Sequence, residues 1–160
     1  MGKKAKERND EPVIENRKAR HDYEILETLE VGIVLRGDEV KAIRSGRASI
    51  AEGYIRASET PPALNLHSVT IEEYKYAAPH KASSHRIRVL LAHKREILKL
   101  AKEANVKGMT IVPLKMYFKD GYAKLLIGLG KGRSSHDKRD AIGKREAQRD
   151  MQRAMSRRAR

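Results

Sequence analysis

Met109-Thr110-Ile111-Val112-Pro113-Leu114-Lys115-Met116-Tyr117-Phe118-Lys119-Asp120-Gly121-Tyr122-Ala123-Lys124-Leu125-Leu126-Ile127-Gly128-Leu129 reads as a β-hairpin folded at Asp120-Gly121. That dipeptide accepts the left-handed backbone a two-residue loop needs. With the turn as register, Phe118 faces Ala123 and Met116 faces Leu125, and these point to a core together with Leu114 and Ile127. The opposite face presents Lys115, Tyr117, Lys119, Tyr122 and Lys124. Ammonium groups alternating with phenol rings can hold phosphates and stack on bases or ribose. From spacing alone an ordinary solvated face fits equally well.

The rest of the body is built from similar short pieces. From Tyr23 to Leu35 the odd positions Tyr23, Ile25, Leu29, Val31, Ile33 and Leu35 are apolar and only Glu27 breaks the series, the period of a strand with one buried face. Gly37 to Gly46 predicts one or two helical turns that Asp38 can cap and Gly46 can stop. Gly53 to Ala57 and Ala63 to Ile71 read as strands joined at Thr60-Pro61-Pro62. Lys75 to Arg88 reads as a polar, basic loop. Leu90 to Lys107 predicts a helix burying Ile97, Leu100, Ala101 and Ala104 on one side and stopped by Gly108. No internal repeat is present. Several short strands with two or three helices predict a mainly β protein with short helices, a small antiparallel OB-like β-barrel.

Charge is distributed unevenly over the 160 residues: +3 in residues 1–20, +4 in 21–130 and +7 in 131–160, for a net +14. The expected division is a basic N-terminal extension (1–15), a barrel (16–130) and a basic C-terminal tail (131–160). The tail leads from Gly130-Lys131-Gly132 into a helix-compatible stretch whose apolar residues are few: Ile142, Met151 and Met155, with Ala141, Ala147 and Ala154. Such a stripe is too thin to anchor a helix, so the tail is expected to be disordered when free and to fold on a partner. A chain this basic calls for nucleic acid, because each Lys or Arg laid on a phosphate releases counterions. A membrane-surface helix would need bulky apolar residues, and the tail has no Trp, Phe or Leu. Without cysteine there are no disulfides or thiolate zinc sites. No apolar run suits a signal sequence or a membrane span, and a soluble cytoplasmic protein is expected.

Catalytic arrangements find no support. The histidines, His21, His67, His80, His85, His93 and His136, are scattered without a metal-binding spacing. Gly128-Leu129-Gly130-Lys131-Gly132 departs from a phosphate loop, since Gly132 stands where Ser or Thr is required, and reads instead as a flexible joint. The serines have no evident base partner. A binding protein, with neither enzymatic activity nor cofactor, is expected.

Several segments in order resemble one family. They are Glu15-Asn16-Arg17-Lys18-Ala19-Arg20-His21-Asp22-Tyr23, Glu39-Val40-Lys41-Ala42-Ile43-Arg44-Ser45-Gly46, Leu90-Leu91-Ala92-His93-Lys94-Arg95-Glu96-Ile97, Val112-Pro113-Leu114 through Gly121, Ala123-Lys124, Gly128 to Gly132, and His136-Asp137-Lys138-Arg139. Together they are similar to small protein B, the SsrA-binding family of bacterial trans-translation, over about residues 15–150. The resemblance implies a monomeric barrel that holds the tRNA-like part of transfer-messenger RNA (tmRNA). It also implies a tail that becomes helical in the empty mRNA channel of a stalled ribosome, beside the small-subunit decoding region. It places the RNA-holding face on Asn16, Tyr23, Glu30, Leu91, His93, Lys119 and Lys124, and the decoding-side contact on His136, Asp137, Lys138 and Arg139. By pattern, Tyr23 and Leu91 could equally be core. The chain departs from the family at a shortened Ala57–Leu64 segment, at Ala78–His85, at Val89 in place of a usual Lys, and at Gly143 where Lys is usual. A structural ribosomal or general RNA-binding protein would share the barrel and basic arms without needing the His-Asp-Lys-Arg run.

Overall fold

The computed structural model describes residues 11–73 and 83–158. In chain order the elements are β1 (Ile14–Glu15), α1 (Arg17–Asp22), β2 (Tyr23–Ile33), α2 (Gly37–Arg44), β3 (Ala48–Ser49), β4 (Tyr54–Glu59), β5 (Pro62–His67), β6 (Thr70–Ile71), β7 (Arg88–Leu91), α3 (Lys94–Ala104), β8 (Met109–Lys119), β9 (Tyr122–Gly132) and α4 (Ser135–Arg158). Seven strands pair in the order β1-β8-β4-β5-β7-β2-β9, and β8 also pairs with β9. The sheet therefore closes on itself as an antiparallel barrel, the architecture the strand pattern predicts. Closure removes the unpaired edges on which sheets aggregate.

The β8–β9 hairpin turns where expected, with Asp120 and Gly121 both at positive φ. Phe118 pairs with Ala123 and Met116 with Leu125. Deeper in the hairpin a bulge between Pro113 and Lys115 shifts the register. Leu114 consequently leaves the main core for a second small cluster with Ala19 and Val112, while Ile127 stays in the first. β2 behaves likewise. A bulge between Ile25 and Glu27 divides its odd series, so that Leu29, Val31 and Ile33 face the main core while Tyr23 and Ile25 pack on the second cluster. Glu27, the break in the series, reaches Lys99 of α3 at 2.7 Å.

Four local expectations are corrected. The helix expected from Leu90 begins at Lys94, because Leu90 and Leu91 finish strand β7, one buried and the other exposed. The backbone N–H of His93 donates to Glu96 Oε2 at 2.9 Å, which fixes the helix start there. Helix α2 starts at Gly37, with Glu39 rather than Asp38 accepting the N–H of the preceding Arg36 at 2.8 Å. The glycines of 128–132 are strand rather than joint: a Cβ at Gly128 would lie 2.9 Å from Leu114 Cδ1, and one at Gly130 3.0 Å from Tyr23 Cβ. They admit the second cluster against β9. Of the expected basic loop, residues 74–82 lie outside the described residues, and its last residue, Arg88, opens β7 with no exposed surface at all.

In the structure the tail forms the helix α4, Ser135–Arg158, the form expected of it on a partner. The causes are confined to its first turns. Asp137 Oδ2 accepts from the Ser134 hydroxyl at 2.7 Å, and the Asp137 N–H donates to Ser134 Oγ at 3.2 Å, a reciprocal cap. Lys138 Nζ lies 3.4 Å from Asp22 Oδ1, and the Arg133 N–H donates to the Asp22 carbonyl at 2.9 Å. From Ile142 to Ser156 every residue is exposed.

Candidate nucleic-acid interface

The outward face of the hairpin is assembled by pairing alone. After the Pro113/Lys115 bulge, β8 turns Lys115, Tyr117 and Lys119 outward, and β9 sets Lys124 beside Tyr117 and Tyr122 beside Lys119. β2 runs on the other side of β9, with Glu30 opposite Leu126 and Gly32 opposite Lys124. Gly32 in turn pairs with Leu91 of β7. Three strands therefore bring Glu30, Leu91, His93 and Lys124 to one open groove of about 390 Å³, which Gly32, Ala92 and Glu96 complete. Leu91 is 57% exposed, so it is a surface platform and not core.

The lysines of this face differ in what they hold. Lys115 pairs with Glu15 at 3.0 Å and Lys119 with Glu30 at 3.2 Å. Glu30 also receives the Tyr117 hydroxyl. These contacts explain a carboxylate amid basic residues. The Tyr117 hydroxyl, with Lys119 and Lys124, holds the Glu30 carboxyl below its ordinary range. Burial, the hydrogen bond to Glu30 and its charge push the Tyr117 phenol up to about 12, so it stays a donor at neutral pH. Glu30 thus fixes a ring and an ammonium in place while remaining charged beside the groove.

Asn16 and Tyr23 lie elsewhere. Asn16 is only 3% exposed; its Nδ2 donates to the carbonyls of Ile50 at 3.1 Å and Pro113 at 2.9 Å, and its Oδ1 accepts from the Ala19 N–H at 3.0 Å. Both donors and the acceptor are thereby engaged in closing the barrel. Tyr23 packs half-buried on the second cluster, lining with Asn16, Lys18 and Tyr54 a separate cleft of about 280 Å³.

At the tail, the four motif residues divide between structure and solvent. Asp137 caps α4, and its carboxyl is lowered by the Ser134 hydroxyl and backbone N–H. Lys138 leans on Asp22, whose carboxyl is lowered chiefly by His21. His136, its side chain 85% exposed, comes no closer than 3.8 Å to Asp140, and Arg139 is exposed. Arg133 just before α4 and Lys144, Arg145 and Arg149 within it continue the positive charge along the tail.

A feature that no motif marks lies at the entry of β7. Arg88 is fully buried, its Nε 2.9 Å from Glu39 Oε1 and its Nη atoms on the carbonyls of Val69 (2.9 Å), Arg86 (3.0 Å) and Ser84 (3.0 Å). Arg86 binds the same carboxylate through Nε at 2.9 Å and Nη2 at 2.5 Å. This network ties α2 to the entry of β7, the strand that delivers Leu91 and leads to His93 at the start of α3. No sequence signal separates Arg88 from the other basic residues around it. Among the described residues no group of three or more metal-ligating side chains converges, and no helix is long and apolar enough to cross a membrane.

Known proteins resemble this chain over most of its length. A family model described as SmpB protein matches residues 13–157. The SsrA-binding protein of Frankia casuarinae is 48% identical over 147 residues, covering 92% of this chain and 91% of the relative. That of Halalkalibacterium halodurans is 46% identical over 143 residues, covering 89% and 92%. A solved structure described as "tmRNA-SmpB: a journey to the center of the bacterial ribosome" superposes with a TM-score of 0.66 at 42% identity, covering 82% of this chain and 94% of that one. With the fold and nearly the whole length in common, this chain belongs to the SmpB family.

Proposed function

We propose that this protein holds the tRNA-like part of tmRNA on the groove between β2, β7 and β9 and carries it to stalled ribosomes for trans-translation. The observation that carries this reading is the convergence of Glu30, Leu91, His93 and Lys124 on one groove next to the Lys/Tyr face of the hairpin. Rings and an apolar platform can take unstacked bases, and Lys119, Lys124 and Tyr122 can take the backbone around them. The names of relatives more than 40% identical over most of the chain support the same ligand.

In this reading the barrel is the RNA-holding unit and the tail serves the ribosome. His136, Asp137, Lys138 and Arg139 meet the small-subunit decoding region, and the arginines of α4 neutralise ribosomal RNA along the empty mRNA channel. The protein works as a cytoplasmic RNA-binding factor and performs no chemistry of its own. Pull-down of the tagged full chain from bacterial lysate, followed by sequencing of the bound RNA, tests the assignment. One dominant tRNA-like species is expected; ribosomal or mixed RNA alone would place the protein among general RNA-binding proteins.

A further inference from the structure

The tail helix leaves the barrel through a joint one residue long. β2 and β9 pair as far as Tyr23 and Gly132, and one further bond, from the Arg133 N–H to the Asp22 carbonyl at 2.9 Å, carries the tie past the end of the sheet. α4 begins at Ser135, so Ser134 alone separates the last barrel bond from the helix. From Ile142 to Ser156 every residue is exposed. At the base of α4 an open cleft of about 450 Å³ is lined by Glu24 and Lys131 on the barrel and by Asp140 and Lys144 on the helix. The 24 residues of α4 span about 36 Å, and a swing of about 10° at the joint moves the far end by roughly 6 Å. An arm that has to enter a channel therefore needs its direction fixed at residues 133–141.

The charges at the joint are placed for that task. Asp22 is the last residue of α1, where a carboxylate meets the negative end of the helix dipole. Lys138 lies in the first turn of α4, where an ammonium meets the positive end. Each is misplaced on its own helix, and the two meet: Lys138 Nζ is 3.4 Å from Asp22 Oδ1, an oxygen that also lies 2.9 Å from His21 Nδ1. The helical period separates the motif residues. At about 100° per residue, Lys138 projects roughly 200° round the axis from His136, whereas Arg139 falls about 60° from it. One side of α4 thus offers His136 and Arg139 to solvent while the other turns Lys138 to the barrel. Resting on the reading of the tail as the ribosome-facing arm, we propose that Asp22 is a positioning residue for trans-translation, its pairing with Lys138 setting the direction in which α4 leaves the barrel. Lys138 then serves the decoding-side contact through Asp22, and His136 and Arg139 are left to meet RNA.

The test is a charge swap in the full chain, read by single-turnover tagging on ribosomes stalled on a truncated message and, beside it, by filter binding of tmRNA. Asp22→Lys and Lys138→Asp each set like charges face to face and should slow tagging at saturating protein by about tenfold. Affinity for tmRNA should stay within about twofold of the parent, because neither residue lies in the groove. The double variant, Asp22→Lys with Lys138→Asp, restores the attraction with its sign reversed and should tag within about threefold of the parent. Asp22→Asn loses the charge but keeps an acceptor, and should slow tagging two- to fivefold, roughly the worth of a partly exposed pair. Thermal melting reports whether each barrel is intact, and Asp22→Asn carries the test if Asp22→Lys lowers the melting temperature. Parental tagging by both Asp22 variants would overturn the proposal, since the pair would then steer nothing. A double variant no better than Lys138→Asp would overturn it too, by placing Lys138 directly on RNA, and so would loss of tmRNA binding by Asp22→Asn. If the parent captures tmRNA and tags while every variant tags alike, this inference falls alone; a parent that does neither sinks the broader function with it.

Discussion

Glu39→Ala should be among the most damaging single substitutions in the body, although Glu39 touches no candidate ligand residue. In the native protein its carboxylate accepts from Arg86 twice, from Arg88 Nε at 2.9 Å and from the Arg36 N–H at 2.8 Å. Removal leaves the Arg88 guanidinium with no exposed surface and without its counter-charge, facing only the carbonyls of Val69, Arg86 and Ser84. Orphaning one partner of a buried ion pair costs roughly 3–5 kcal/mol, against a total of about 5–15 kcal/mol for a domain. At a urea slope of about 2 kcal/mol per molar, the midpoint of equilibrium unfolding should fall by roughly 2 M. Replacing both partners, Glu39→Ala with Arg88→Met, should cost less than Glu39→Ala alone, because no buried charge remains unpaired. Urea unfolding followed by circular dichroism measures all three proteins. A Glu39→Ala midpoint within about 0.5 M of the parent would refute the assignment of this network as a structural tie.

The same group predicts a pH response: burial would raise the Glu39 carboxyl, but Arg86, the Arg36 N–H and Arg88 outweigh it and the net shift is downward. A depressed folded value means that the stabilisation is complete above the unfolded value of about 4.5 and is lost as pH falls through the folded one; acid unfolding followed by circular dichroism should therefore be less steep in Glu39→Ala. Lys124→Ala should weaken RNA binding and lower its salt slope by about one phosphate, whereas Lys119→Ala should lower it by less, since Glu30 already neutralises Lys119; filter binding across a salt series separates the two. Gly143→Ala meets no atom within 4 Å and should raise tail helicity in circular dichroism, by about 1 kcal/mol at that position, with barrel stability unchanged. Replacing His136, Asp137, Lys138 and Arg139 together by Ala should abolish tagging of a stalled nascent chain in a reconstituted assay while sparing the RNA complex; normal tagging would contradict the role given to the tail.

The hairpin was legible because one turn dipeptide fixes its register, and every outward residue follows from that register by alternation. Alternation failed where a bulge intervened: nothing in the period-two pattern of Tyr23 to Leu35 marks Leu26 as the point where the two faces exchange. The start of α3 was misplaced for a similar reason. Leu90 and Leu91 suit a helix as well as a strand, and tertiary pairing with β2 and β5 decided between them. Of the groove residues Lys124 followed from the hairpin register, whereas Glu30, Leu91 and His93 were reachable only through family resemblance, since their proximity to it depends on barrel closure. Asn16 shows the converse. Its place in a family motif says nothing about whether its amide faces a ligand or, as here, staples Ile50 and Pro113.

Barrel closure also sets when this protein can fold during its own synthesis. The last strand to be made, β9, is the one that joins β2 to β8, pairing Tyr23 with Gly132 across most of the body. Until Tyr122 to Gly132 have emerged, β2 has lost its longest partner and its apolar side chains stand open, and forming so distant a pairing is intrinsically slow. A nascent chain cut short before β9 therefore cannot close the sheet. Only a chain made as far as Gly132 can close the barrel.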